Sequence, residues 1–241
     1  MCKLKSAIVL KDRVYCPDHD SHDRMLMELN IKDTYENASS LFVRIELSPA
    51  DGRVDSDVDD WRLKVDQDIL PDWWAEEVDV PRIRAVVQAW CDVHVLRDGY
   101  HELRNGQWYL CGNASAKLYC NASAKLHRSA SAKLYDSASA KLYDSASAKL
   151  YCNASAELYD NASAELHCSA SAELYGSASA ELYGNASAKL HRSASAKLYG
   201  NASAIIPANA WGHPTATVKD SAVLINHKTN EITSLVEWKQ V

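Results

Sequence analysis

Residues 129–144 read SASAKLYDSASAKLYD, one octapeptide repeated without a gap. Its period decides the fold. Twelve such octads run from Asn113 to Ala208. Position 1 is Asn or Ser, and positions 2 to 4 are Ala-Ser-Ala. Position 5 is Lys or Glu until Ile205, position 6 is Leu until Ile206, position 7 is Tyr or His until Pro207, and position 8 is Asp, Gly, Arg or Cys until Ala208. Local propensity favours helix, because Ala, Lys, Glu and Leu are good helix formers. The period does not. Eight residues advance a helix by about 800°, about 80° past two turns, so each Leu lies further round than the last and no apolar stripe forms. Supercoiling accommodates repeats of 7 or 11, not of 8.

An even period suits strands. Positions 2, 4 and 6 (Ala, Ala, Leu) fall on one face, and positions 3, 5 and 7 on the other. An antiparallel meander with two-residue turns would pair Tyr119 with Ala122 and Ala116 with Lys125, so the apolar face would flip at every strand. Three-residue turns restore the register but leave a wide apolar face uncovered. A parallel β-solenoid meets both objections. Two octads form a 16-residue coil with two strands and two corners, and each octad stacks on the second one along at about 4.8 Å. Two Ala-Ala-Leu faces then meet inside. Twelve octads give six coils, a rod of about 29 Å. A triangular three-octad coil is the rival. Only the two-octad coil places Cys152 and Cys168 at one corner of adjacent coils.

The outer faces would carry ladders of Ser, Lys or Glu, and Tyr, the last interrupted by His127, His167 and His191. The charge ladder changes sign, from Lys117–Lys149 to Glu157–Glu181 to Lys189 and Lys197. Like charges stacked at strand spacing repel, and the sign changes offset this. The same bands could recognise a partner. The candidate binding residues are therefore Tyr135, Tyr143, Tyr151, Tyr159, Lys133, Lys141, Glu157 and Glu165.

The remainder divides into an N-terminal α+β head, residues 1–112, and C-terminal capping strands, residues 209–241, around the solenoid at 113–208. The head holds 14 Lys and Arg against 22 Asp and Glu, the array 9 against 7, and the tail 3 against 3. An acidic head on a near-neutral array lacks the basic stripe of a nucleic-acid binder. It could mimic nucleic acid or meet a basic partner, although acidic faces are commonly just solvated. The chain has 7 Trp and 12 Tyr but 1 Phe, so its large aromatics suit half-exposed positions. The apolar run Ala7–Leu10 is too short for an export signal or a membrane span, which leads to an expectation of reduced thiols, no membrane and a cytoplasmic location. Asn-Ala-Ser is then a repeat letter rather than a glycosylation site.

Within the head, Ala7–Leu10 and Arg13–Tyr15 suggest a hairpin. Residues 21–30 suggest a helix capped by Asp20 or Ser21, with Met25, Leu26 and Leu29 inward. Val43, Ile45 and Leu47 alternate with Arg44 and Glu46, and Trp61, Leu63 and Val65 with Arg62 and Lys64, as in half-buried strands. Ile83, Val87 and Trp90 predict a helix over Pro81–Val95, with Asp79 as cap and Pro81 in the first turn. CPDHDSHD (16–23) gathers metal-ligand types, with His19, Asp20 and His22 as weak candidates. Its spacing fits no standard zinc site, and a helix N-terminus enriched in acids accounts for it. Trp73 and Trp74 form either a lid under the last helix, the preferred reading, or an exposed binding edge. No nucleophile–base pair, glycine-rich phosphate loop or carboxylate dyad stands out, and no cofactor is expected. NGQWYLCG (105–112) is expected to cap the first coil, and Trp211 and Trp238 to plug the far end.

The segments RVYCPDHDSHDRMLMELNI, FVRIELSP and WRLKVDQDILPDWW, followed by NASAKLYD-type octads, resemble octapeptide-repeat proteins of gut bacteria and their phages and prophages. The resemblance covers nearly the whole chain but carries no activity or site residues. It implies an intracellular, mobile-element setting, and with it small phage proteins that block host defence enzymes. Three functions are weighed: a non-enzymatic module binding a protein partner, which is preferred; a structural solenoid acting as spacer, fibre or surface-binding element, possible as a homo-oligomer; and a metal-dependent enzyme using the head. Bulky Tyr and Lys ladders argue against ice binding, which uses flat Thr faces.

Overall fold

The computed structural model describes residues 5–234. Two compact units divide the chain between Val95 and Leu96.

In the first unit, β1 (Lys5–Leu10) pairs antiparallel with β2 (Val14–Tyr15) and, on its other edge, with β3 (Phe42–Pro49). β4 (Trp61–Val65) completes the sheet, in the order β2-β1-β3-β4. Both faces of β1 are covered. Ile8 packs with Met25 and Leu26 of α1 (His22–Glu28), whose cap is Ser21. Lys5, on the opposite face, lies over Trp90 of α3 (Glu76–His94) at 4.6 Å. A short α2 (Tyr35–Ala38) precedes β3. Two expectations are corrected here. Glu46 is buried rather than exposed, because it lies beside Ser6 on the face that α1 covers. Helix α3 starts at Glu76, ahead of Pro81. Asp79 is a buried helical residue, not the cap, and it reaches back to accept from the Ala75 amide at 3.0 Å.

The second unit is a parallel β-solenoid of two-octad, 16-residue coils. The twelve octads form β8 (Ser115–Leu118) through β19 (Ser203–Ile206), each strand covering positions 3 to 6. Every second strand pairs in parallel, letter on letter, so Ser131 lies on Ser147 and Leu134 on Leu150. Odd and even octads build separate sheets, and the Ala and Leu side chains of positions 2, 4 and 6 fill the space between them. The octad Leu side chains are fully buried. Each full burial of this kind stabilises by roughly 1.5–3 kcal/mol.

The stack extends beyond the octads at both ends. β6 (Tyr100–Leu103) and β7 (Gln107–Leu110) pair in parallel with β8 and β9 (Ser123–Leu126), and β5 (Val95–Leu96) adjoins β7. NGQWYLCG is therefore part of a coil. Leu103 and Leu110 stack on Leu118 and Leu126. At the other end, β20 (Thr215–Val218) and β21 (Val223–Asn226) add a further coil. The shorter sheet thus has eight strands, roughly 34 Å from first to last at about 4.8 Å per rung. β22 (Glu231–Ser234) then pairs antiparallel with β21 and is the last strand of the ten-stranded sheet. Trp211 is no plug. Ser195 pairs with Thr215, so this coil is four residues longer than the octad spacing, and Trp211 on the extra loop is 84% exposed. Trp238 lies outside the described residues.

Each octad corner is a β-turn closed by a bond such as Ala122 N–H to Tyr119 O, 3.0 Å. From Cys120 to Gly200, position 8 is left-handed at every corner, with φ between 56° and 69°. A residue with a Cβ loses roughly 1–2 kcal/mol in this conformation. Asp offsets part of the cost, because the Asp136 and Asp144 carboxylates accept the corner amides of Cys120 and Arg128, one coil back, at 3.4 and 3.1 Å. A β-branched residue cannot. Asp160→Val is expected to destabilise the rod by about 1–2 kcal/mol in chemical denaturation, and Asp160→Gly to leave it unchanged or more stable.

Candidate functional site

Two faces of the rod form long troughs, of about 760 and 460 Å³. The Ser column and the position-4 Ala line the floor of each, and the position-5 charges stand along it. The structure resolves which of these charges are engaged. All four array Glu residues pair with a Lys one coil away: Glu157 with Lys141 and Glu173 with Lys189, each at 2.9 Å, Glu165 with Lys149 at 2.8 Å, and Glu181 with Lys197 at 2.9 Å. The sign changes along the ladder are thus cross-coil ion pairs. Lys117 has Glu102 at 3.8 Å. Lys133 stands between Lys117 and Lys149 on the wider trough, exposed, and makes no ion pair among the described residues.

The position-7 rings form two columns. Tyr119, Tyr135, Tyr151, His167, Tyr183 and Tyr199 stack at centroid spacings of 4.9 to 5.2 Å, and His127, Tyr143, Tyr159, Tyr175 and His191 form the other column. Arg104 lies over Tyr119 and Lys219 over Tyr199, so a cation covers the exposed ring face at each end of the longer column. Tyr135, Tyr143, Tyr151 and Tyr159 consequently present ring edges, not faces.

Three phenols also donate to the Glu two residues back: Tyr159 to Glu157, Tyr175 to Glu173 at 2.6 Å, and Tyr183 to Glu181 at 2.7 Å. These bonds, with the Lys partners, hold Glu157, Glu173 and Glu181 below the usual carboxylate range. Bonding to Glu173 and Glu181 and partial burial push Tyr175 and Tyr183 up to about 12, and burial with Glu157 raises Tyr159 further. The raised phenols contribute stability that is intact below their ordinary value of 10.0 and is lost as pH rises through the folded value. The lowered carboxylates contribute stability that is present above 4.5 and is lost as pH falls through their depressed values. The rod should therefore be most stable between those limits. Tyrosinate absorbance checks the assignment: Glu173→Gln is expected to move one phenol from about 12 toward 10.

In the head, the CPDHDSHD side chains diverge. His19 bonds Glu28 at 2.9 Å, Asp20 accepts from Lys5 and the Ser6 amide at 3.0 and 3.1 Å, and Asp18 meets His94 at 3.0 Å. His19, Asp20 and His22 do not converge. Bonds from His19 and Tyr15 hold the Glu28 carboxyl down to about 2, and burial pushes the Cys16 thiol up to about 11. His22 instead meets Glu46 and Asp66, with one ligand atom of each within 4.8 Å of the others. The Ile45 carbonyl can only accept, so the 3.1 Å contact places the proton on His22 Nε2 and leaves Nδ1 facing Asp66 at 3.7 Å. Lys64 lies 2.6 Å from Asp66 and 3.8 Å from Glu46, supplying the positive charge that a metal would otherwise bring. The local sequence gives no sign of this group, whose members come from α1, β3 and the residue after β4. Trp73 and Trp74 are both half-buried. Trp73 donates to Ser40 O at 2.7 Å, and Trp74 Nε1 is buried with no acceptor among the described residues.

Fold and surface define a parallel β-solenoid with charged outer ladders. No family model, curated protein or solved structure matches the chain. No helix among the described residues is long and apolar enough to cross a membrane.

Proposed function

We propose that the chain is a non-enzymatic binding module whose rod presents Lys133, between Lys117 and Lys149 on the wider trough, to an acidic surface on a protein partner. One observation carries this reading: every array Glu has a Lys partner, whereas Lys133 makes no ion pair among the described residues and stands exposed over the wider trough. A side chain on a stiff, hydrogen-bonded scaffold loses little entropy when it docks. The candidate residues then divide by role. Glu157, Glu165 and Lys141 hold the coils together, the Tyr columns stiffen the corners, and Lys133 recognises. The resemblance to proteins of gut bacteria and their phages makes a bacterial host protein, such as a defence enzyme, the partner to test first.

Lys133→Glu separates binding from folding. A Glu there would stand between Lys117 and Lys149, so the variant should be more stable by about 0.2–1 kcal/mol while binding is lost. Thermal unfolding and affinity capture on the same preparation check both halves.

A structural role is the second reading, and it rests on the sheet ends. β22 is the last strand of the ten-stranded sheet and β20 of the eight-stranded one among the described residues. Such an edge can template a further strand. Sedimentation showing concentration-dependent head-to-tail growth would favour it.

A further inference from the structure

We infer that Cys152 and Cys168 form a dithiol clip for a soft, thiophilic cation of the Cu(I) or Ag(I) type. The two occupy the same corner column on adjacent coils, as the pairing of Leu150 with Leu166 and the bond from Ser169 N–H to Cys152 O, 3.1 Å, require. Both are exposed, both are unbridged, and both have φ of 58°. Side chains in this column point along the rod toward the preceding corner. The Asp136 carboxylate reaches back to the Cys120 amide, and a Cβ added at Gly184 would lie 3.7 Å from Cys168 Cα. The Cα–Cβ bond of Cys168 is therefore directed toward the Cys152 corner. Gly184, on the next coil, leaves the approach from that side without a side chain.

Spacing favours an ion over a disulfide. A disulfide needs Cβ atoms about 3.5–4.5 Å apart, whereas parallel rungs hold equivalent atoms at about 4.8 Å. The corners cannot close easily, because backbone bonds of 3.1, 3.1 and 2.8 Å (Asn153 to Asp136, Ser169 to Cys152, Asn185 to Cys168) fix three successive rungs. Two metal–sulfur bonds of about 2.3 Å, the zinc–thiolate length, placed in line span about 4.6 Å, close to that spacing. Thiolates favour soft cations. His167 is adjacent in sequence, but its ring is stacked between Tyr151 and Tyr183, which leaves two sulfur ligands. On binding, each thiol releases its proton to solvent as its sulfur bonds the ion, with no change of oxidation state. Cys120 lies in the same column but is separated from Cys152 by the Asp136 rung, and serves as the internal control.

The test is native mass spectrometry of the reduced, full-length chain loaded with Ag(I) and challenged with excess glutathione. The number of retained ions should fall by one in Cys152→Ser and in Cys168→Ser and stay unchanged in Cys120→Ser, with retention at the clip at least tenfold above that of a single thiol. Equal retention in all four chains, or loss in Cys120→Ser, would overturn the assignment. So would a Cys152–Cys168 disulfide that forms in preference to ion uptake when Ag(I) and oxidised glutathione are offered together.

Discussion

Leu158→Asp is expected to break the rod at its middle. Leu158 is fully buried and stacks between Leu142 and Leu174. Truncating such a side chain costs about 3–5 kcal/mol, and an unpaired carboxylate in its place adds several more. Solenoid coils contact only their neighbours, so the damage cannot be spread over the whole unit. Far-UV circular dichroism should show loss of strand signal at 25 °C or a melting temperature lowered by at least about 10 °C. Asn185→Asp, at an exposed corner, should stay within about 0.5 kcal/mol of the parent. Equal behaviour of the two variants would contradict the inward placement of position 6.

The second large effect belongs to the head. Lys5 is wholly buried, donates to the carbonyls of Pro17 and His19 and to Asp20, and lies over Trp90. Lys5→Ala removes the donor from three acceptors and opens a cavity. Breaking a buried pair costs about 3–5 kcal/mol, and the partial exposure of Asp20 places this case near the lower end. Lys5→Met combined with Asp20→Asn keeps the volume and removes both charges, so it should recover most of the loss. Denaturation followed by tryptophan fluorescence distinguishes these outcomes, because Trp61, Trp73, Trp74 and Trp90 all lie in the head.

The rod was legible because an eight-residue period is incompatible with a helical stripe and compatible with stacked strands. The first coil was not, and the last was expected only as capping strands, since their strands lack the octad letters. Tyr100–Leu103 keeps only the inward Leu, and Thr215–Val218 replaces it with Val218. One signal was present: Asp220-Ser221-Ala222 repeats the corner letters of Asp136-Ser137-Ala138, and Asp220 is left-handed at φ 55°. The charge bands were visible as letters, but their pairing needed the register that sets Lys141 on Glu157. In the head, the alternation in β3 suggested an exposed Glu46. Alternation separates inside from outside only when one face of a sheet meets water, and here helices cover both. The convergence of His22, Glu46 and Asp66 depends on three elements distant in sequence, which no local pattern records.

Affinity capture from a bacterial lysate, with the intact chain and Lys133→Glu side by side, tests the proposed role most directly. The expected result is a protein with an acidic surface that is held by the intact chain, released by raised salt as exposed charge pairs are screened, and absent from a Lys133→Glu chain that melts at an equal or higher temperature. Capture of the same proteins by both chains, or of none by either, would contradict it.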